Sequence, residues 1–175
     1  MKLSSLLCIA TALLTAGCAT QRLATTLPEI AHAVSPEPGM VAAGRLGAAD
    51  MARLRASGIR QVIDLTPDAE TPGFDEAAAV RAAGLVYSNL PLDGPAALTH
   101  ANVRAFHELL RDARRPVLVH CSSGNRAGAI AALRAAWVEG RSTEDAIALG
   151  KTWGLKGLEG EVRRRMTDGP DKIAP

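Results

Sequence analysis

The stretch Val117–Ile130, VLVHCSSGNRAGAI, decides how the chain is read. Pro116–His120 (PVLVH) is the most apolar short run outside the N-terminus, which predicts a central strand of a buried sheet. Four polar or small residues follow Cys121. From Ala127 the chain turns alanine-rich, and Ile130, Leu133 and Val138 predict a helix over Ala127–Glu139. A strand passing through a short polar turn into a helix is the junction at which open α/β sheets build their sites. Amide groups of such a turn, together with the helix N-terminus, make a cradle for an anion. The same field stabilises a thiolate, so a cysteine there falls below its ordinary pKa of about 8.5. Gly124 permits the tight turn, and Arg126 offers a planar fork to two oxygens of a bound oxyanion. His120 precedes the cysteine and is placed to order the loop by hydrogen bonding.

Outward from this junction, short β-rich runs alternate with helical ones. Met40–Arg45 reads as a weak strand and Ala48–Ala56 as a helix stopped by Gly58. Strands are expected at Gln61–Leu65 and Leu85–Leu90, with a helix at Phe74–Ala83 between them. Thr99 is an N-cap for a longer helix whose Val103, Phe106, Leu109 and Leu110 share a face. Ser142 and Asp145 open a further helix reaching Lys151, and a last one covers Leu158–Met166. The fold class is therefore α/β: a parallel-type central sheet of about four to five strands, covered by helices on both faces.

Of the 175 residues 47% are apolar but only 3% aromatic, which favours closely packed helices over ring-lined pockets. Lysine and arginine total 20 against 18 acids, too balanced for a nucleic-acid field. Arg163–Arg165, the longest run of like charge, reads as a solvated helix end.

The N-terminus reads as a targeting segment. Lys2, the apolar run Leu3–Ala16 and small residues before Cys18 form a signal peptide, and the apolar run is too short to span a bilayer. Ala16-Gly17-Cys18 is similar to the lipobox of bacterial lipoproteins, which implies lipidation of Cys18, a membrane anchor and, with Ala19 following, the periplasmic side of the outer membrane. Thr15 departs from that pattern, so cleavage after Ala19 to give a soluble periplasmic or secreted protein is the alternative. The expected organisation is 1–18 signal peptide, 19–38 tether, 39–168 catalytic-type domain and 169–175 polar tail. Cys8 then leaves with the peptide and Cys18 serves as anchor, so Cys121 is the lone thiol of the domain. Exported domains use cysteines mostly in disulfide pairs. A lone one is either an inert buried residue or a reactive thiol, and the neighbours of Cys121 favour the second.

HCSSGNRAG resembles the HCxxGxxR signature of cysteine-dependent protein tyrosine and dual-specificity phosphatases. The similarity extends over about Pro38–Met166 through AAGRL, GIRQVIDLTPDAE, GLVYSNLPL and RRPVLVHCSSGNRAG, and is closer to the phosphatase-like domain of beta-lactamase-hydrolase-like proteins. The resemblance implies a phosphorylated protein or small-molecule substrate, Cys121 as nucleophile, and Ser122, Ser123, Gly124, Asn125 and Arg126 around the phosphoryl oxygens. Asp93, 28 residues before Cys121, stands where the family carries its general acid; Asp64, Asp68 and Glu70 are alternatives, and Arg45 is a weaker candidate for facing the site. No cofactor or metal is implied, and the scattered histidines suggest no ligand cluster. His32, His100 and His107 read as surface residues.

Two departures matter. Four residues separate Cys121 from Arg126 where the usual signature has five, a loop length typical of rhodanese sulfurtransferases. Ala127 stands where many phosphatases carry a hydroxyl that stabilises the departing thiolate. The alternatives are accordingly a sulfurtransferase with a Cys121 persulfide, or a non-catalytic oxyanion-binding module.

Overall fold

A computed structural model describes residues 27–169, so the expected signal peptide and the candidate lipidation site Cys18 lie outside the described residues. Five strands form one sheet: β1 (Val34–Glu37), β2 (Met40–Ala43), β3 (Gln61–Asp64), β4 (Val86–Asn89) and β5 (Val117–His120). Their order is β1-β2-β5-β3-β4, which puts the apolar run of β5 in the middle, as expected. β2, β5, β3 and β4 run parallel, while β1 lies antiparallel to β2 at one edge.

β1 corrects the expected tether over 19–38, because Val34–Glu37 joins the sheet. Its sequence, VSPE, has neither an apolar run nor clean alternation, and Pro36 suits only an edge strand. The neighbouring hairpin bond reinforces that placement: Ser35 donates its hydroxyl to the Met40 carbonyl at 3.3 Å.

Six helices cover the sheet: α1 (Asp50–Ala56), α2 (Glu76–Ala82), α3 (His100–Arg111), α4 (Asn125–Trp137), α5 (Thr143–Thr152) and α6 (Glu159–Asp168). Every residue of β2, β3 and β5 is buried, so successive side chains feed two cores. Ala42, Ile63 and Val119 meet Phe106 of α3 and Ile130 and Leu133 of α4 on one face. Val41, Val62 and Leu118 meet Leu54 of α1 and Val80 of α2 on the other. Thr99 and Ser142 cap α3 and α5 as the sequence suggests, each accepting a backbone N–H three residues on at 3.2 Å.

α4 shows why the chain is rich in alanine. Eight of its residues are buried, five of them alanine, so it sits closely against α5 and the segment after it. At Gly128 the approach leaves no room for any side chain, since an added Cβ would lie 2.1 Å from the Leu155 amide nitrogen and 2.6 Å from the Gly150 carbonyl oxygen. α4 also begins at Asn125, two residues before the expected start, which brings Arg126 into its first turn.

Arg165 departs from the expected solvated helix end. It is buried and donates to the Leu98 carbonyl and to Glu161, each at 2.6 Å. Arg163 and Arg164 do lie outside and pair with acids of α5 and α6. Among the described residues no helix is long and apolar enough to cross a membrane.

Candidate functional site

The register of the sheet places the site. At the end of β5, His120 is paired on one side with Ala43 of β2 and on the other with Asp64 of β3. Cys121 follows at once, its N–H bonded to the Ala43 carbonyl at 3.4 Å. The thiol is free and buried, with 1% of the residue exposed. The segment after β2 runs beside the loop: Gly44 bridges to Ser123, and the Arg45 N–H bonds the Ser122 carbonyl at 3.2 Å. Gly124 then takes φ +82°, a left-handed conformation natural only to glycine, and its carbonyl accepts the Gly128 N–H at 2.9 Å to start α4. The loop therefore ends on a helix N-terminus with the cysteine at its base, the arrangement expected of an anion cradle.

Arg126 reaches back over this loop. Its Nη1 donates to Glu70 Oε1 at 2.7 Å and to the Leu92 carbonyl at 2.9 Å. Its Nη2 donates to Glu70 Oε2 at 2.7 Å and to Ser122 Oγ at 2.9 Å. Burial opposes the charge on Arg126, but the Glu70 carboxylate and the adjacent Cys121 outweigh it and raise the guanidinium pKa.

Glu70 lies at the end of a short 3-10 turn, Asp68–Glu70, after β3. Hydrogen bonds from Arg126, aided by Ser122 and Arg45, hold its carboxyl below the ordinary carboxylate range against the effect of burial. Such a group stays ionised, which makes it a poor proton donor. Arg45, a weaker candidate in the sequence, does join the group: its Nη2 lies 3.3 Å from Ser122 Oγ and 3.8 Å from Glu70 Oε2.

Asp93 is exposed and bears no hydrogen bond among those described. It adjoins Leu92, whose carbonyl contacts Arg126, so the loop carrying Asp93 borders the arginine. Asp64 is committed elsewhere. Its carboxylate accepts the Thr66 N–H at 2.7 Å and the Tyr87 hydroxyl at 2.9 Å. Asn125 is likewise occupied: its side-chain oxygen accepts the N–H of Lys156 at 2.8 Å, pinning the segment between α5 and α6. Ser122 faces the arginines, while Ser123 is held through its bridge to Gly44. Ala127 is fully buried and presents no hydroxyl to the cysteine.

The His120 side chain does not bond the loop as expected; its partners lie on α2 and β3. Its Nε2 lies 2.6 Å from Glu76 Oε1 and 3.3 Å from Asp64 Oδ1, all three residues being buried. These residues place ligand-type atoms within 4.8 Å of one another, which corrects the expectation that no histidine belongs to a ligand cluster. In this arrangement the imidazole hydrogen-bonds Glu76 and lies beside Asp64, which brings α2 and β3 against the end of β5. Burial, and then the neighbouring Asp64 carboxylate, push the Tyr87 phenol pKa up, so the hydroxyl keeps its proton and donates it in a hydrogen bond to Asp64 Oδ2. Asp64, Glu76 and Tyr87 also line a cavity of about 560 Å³ with Asp68 and Phe74, a cavity that neither Cys121 nor Arg126 lines.

The fold has counterparts among known proteins. The fold aligns with that of a Neisseria meningitidis protein described as a candidate phosphatase, at 24% identity and TM-score 0.65, covering 81% of this chain and 97% of the other. It aligns also with Pseudomonas aeruginosa TpbA, crystallised as a cysteine-to-serine form with pTyr, at 21% identity and TM-score 0.55, covering 81% of this chain and 91% of that one. These likenesses establish a cysteine-phosphatase fold. In sequence, the beta-lactamase hydrolase-like protein of Agrobacterium fabrum is 37% identical over 118 residues, covering 65% of this chain and 27% of the relative. That of Xylella fastidiosa is 41% identical over 103 residues, covering 56% and 23%. The chain spans about a quarter of the length of these curated relatives. Residues 33–138 match the family described as beta-lactamase hydrolase-like protein, phosphatase-like domain, and the chain belongs to that family.

Proposed function

We propose that the protein is a cysteine-dependent phosphatase acting on phosphate esters. The observation that carries this reading is the placement of Cys121 at the base of a loop ending on the α4 N-terminus, with Arg126 in the first turn of that helix and its guanidinium bonded back to Ser122 of the loop. The Cys121 thiolate attacks phosphorus and the P–O bond to the leaving group breaks. Arg126 and the loop amides hold the non-bridging oxygens, and Asp93 delivers a proton to the departing oxygen. Water then attacks phosphorus, the S–P bond breaks, and inorganic phosphate leaves with the thiolate restored. Ala127 offers the departing thiolate no hydroxyl, so this second step is expected to be the slow one.

The four-residue loop favours a second reading, sulfur transfer through a Cys121 persulfide. The purified chain, kept reduced, separates the two when assayed in parallel with an aryl phosphate and with thiosulfate, with Cys121→Ser as control. Thiol-dependent phosphate release supports the phosphatase; sulfur transfer without phosphate release supports the rival. A chain that binds phosphate yet turns over neither substrate is a binding module.

An exported, lipid-anchored protein is proposed from the lipobox-like Ala16-Gly17-Cys18. Metabolic labelling of the producing cells with a palmitate analogue tests it, because an unlabelled mature protein contradicts the anchor.

A further inference from the structure

Arg126 is already occupied. A guanidinium has five N–H donors. In Arg126 the four on Nη1 and Nη2 are directed at Glu70 Oε1, the Leu92 carbonyl, Glu70 Oε2 and Ser122 Oγ, at 2.7–2.9 Å. Only Nε–H is uncommitted, whereas a forked grip on an oxyanion needs two parallel N–H groups. The carboxylate of Glu70 thus takes the bidentate position that a phosphoryl group would claim. It also accepts the hydroxyl of Ser122, the residue immediately after Cys121, at 2.8 Å. Arg45 completes the likeness to an anion site, standing 3.8 Å from Glu70 Oε2. Glu70 itself is reached from solvent, its side chain one-third exposed, and it sits on a three-residue turn rather than on a strand or long helix.

We propose that Glu70 is an internal ligand of the oxyanion cradle, an autoinhibitory contact which any anionic substrate must displace before Arg126 can hold it. The inference rests on the phosphatase reading and adds a self-covering residue to it. A tethered carboxylate competes at high effective concentration, since its loop holds it within reach of Arg126 at all times. A bound anion gains its own attraction to Arg126 and Arg45 only after the contacts to Glu70 are given up. The population of the uncovered site then sets the apparent affinity, which falls below the intrinsic one by that fraction.

The test uses phenyl phosphate and phenyl sulfate, close in shape and differing by one charge at mildly alkaline pH. Their dissociation constants are measured by calorimetry on the Cys121→Ser chain, with and without Glu70→Gln or Glu70→Ala. Thermal unfolding of each variant confirms that it is folded. Removing the carboxylate is expected to tighten phenyl phosphate by roughly tenfold, as for a site uncovered about one-tenth of the time, and phenyl sulfate by a similar factor, because one uncovered population scales both affinities. The gain should survive high salt, because displacement of a contact ligand is screened far less than repulsion at a distance. Unchanged or weaker binding in both Glu70 variants overturns the proposal, since Glu70 would then only hold Arg126 in position. A gain that vanishes in high salt overturns it too. If no variant and not the parent binds either ester, the oxyanion reading of the Cys121 loop fails instead, and the covering role of Glu70 goes with it.

Discussion

Glu76 Oε1 lies 2.6 Å from His120 Nε2, both groups buried, and this contact ties the first turn of α2 to the residue immediately before Cys121. The two are 44 positions apart, so the pair binds separate parts of the chain beneath the candidate site. Asp64, 3.3 Å from the same nitrogen, extends the tie to β3.

Truncating one member of a buried hydrogen-bonded pair leaves the other unsatisfied in a medium that solvates it poorly. Glu76→Ala should therefore cost about 1–3 kcal/mol of stability, and Glu76→Gln less, since an amide can still bond the imidazole. Urea unfolding checks both. Equal, small losses for the two variants would show that the bond to His120 carries little.

Gly128→Ala tests the close approach of α4. The new methyl would sit 2.1 Å from the Leu155 amide nitrogen, which is backbone and cannot swing aside. A loss of about 3 kcal/mol, the upper end of the usual overpacking range, is expected in the same unfolding experiment. Gly124→Ala meets nothing nearer than 3.8 Å but must adopt φ +82°, so its cost is strain alone, about 1–2 kcal/mol.

The Glu70–Arg126 pair makes stability depend on pH in a definite direction. The folded-state pKa of Glu70 is held below its ordinary 4.5, chiefly by the Arg126 hydrogen bonds. Its contribution is therefore complete above pH 4.5 and is lost as pH falls through the lower folded value. Wild type should exceed Glu70→Gln in urea midpoint at neutral pH, and the two should converge in strong acid. A gap that is constant with pH would contradict the ionised pair.

Asp93→Asn removes the proposed proton donor while keeping shape. Turnover of esters with poor leaving groups should fall by roughly 10²–10⁴, and that of esters with good leaving groups far less. Equal loss on both kinds of ester would return the role to another carboxyl group. Glu70, held ionised, is the least suited of them.

How far the sequence could be read follows from range. β5, the loop and α4 are contiguous, and their apolar run, Gly124 and alanine pattern express local rules, so strand, turn and helix were legible. Thr99 and Ser142 were legible as caps for the same reason. β1 was not, because an edge strand with Pro36 needs neither an apolar run nor an unbroken set of N–H donors. The partners of Arg126 and His120 were also hidden. Glu70 is 56 residues from Arg126, and only the pairing of β3 beside β5 brings its loop over the site. Nor does composition separate Arg165, buried against Leu98, from its exposed neighbours Arg163 and Arg164; which face of α6 packs inward decides it. Asn125 looked like a loop residue aimed at substrate, but its side chain secures Lys156.

The covalent intermediate is the most direct test of the central claim. The chain is mixed with an aryl phosphate, quenched in acid within the first turnover, digested and examined by mass spectrometry. A phosphoryl group on the peptide bearing Cys121, absent in Cys121→Ser together with phosphate release, is the predicted result. Phosphate release at the same rate from Cys121→Ser, with no adduct on wild type, would contradict it.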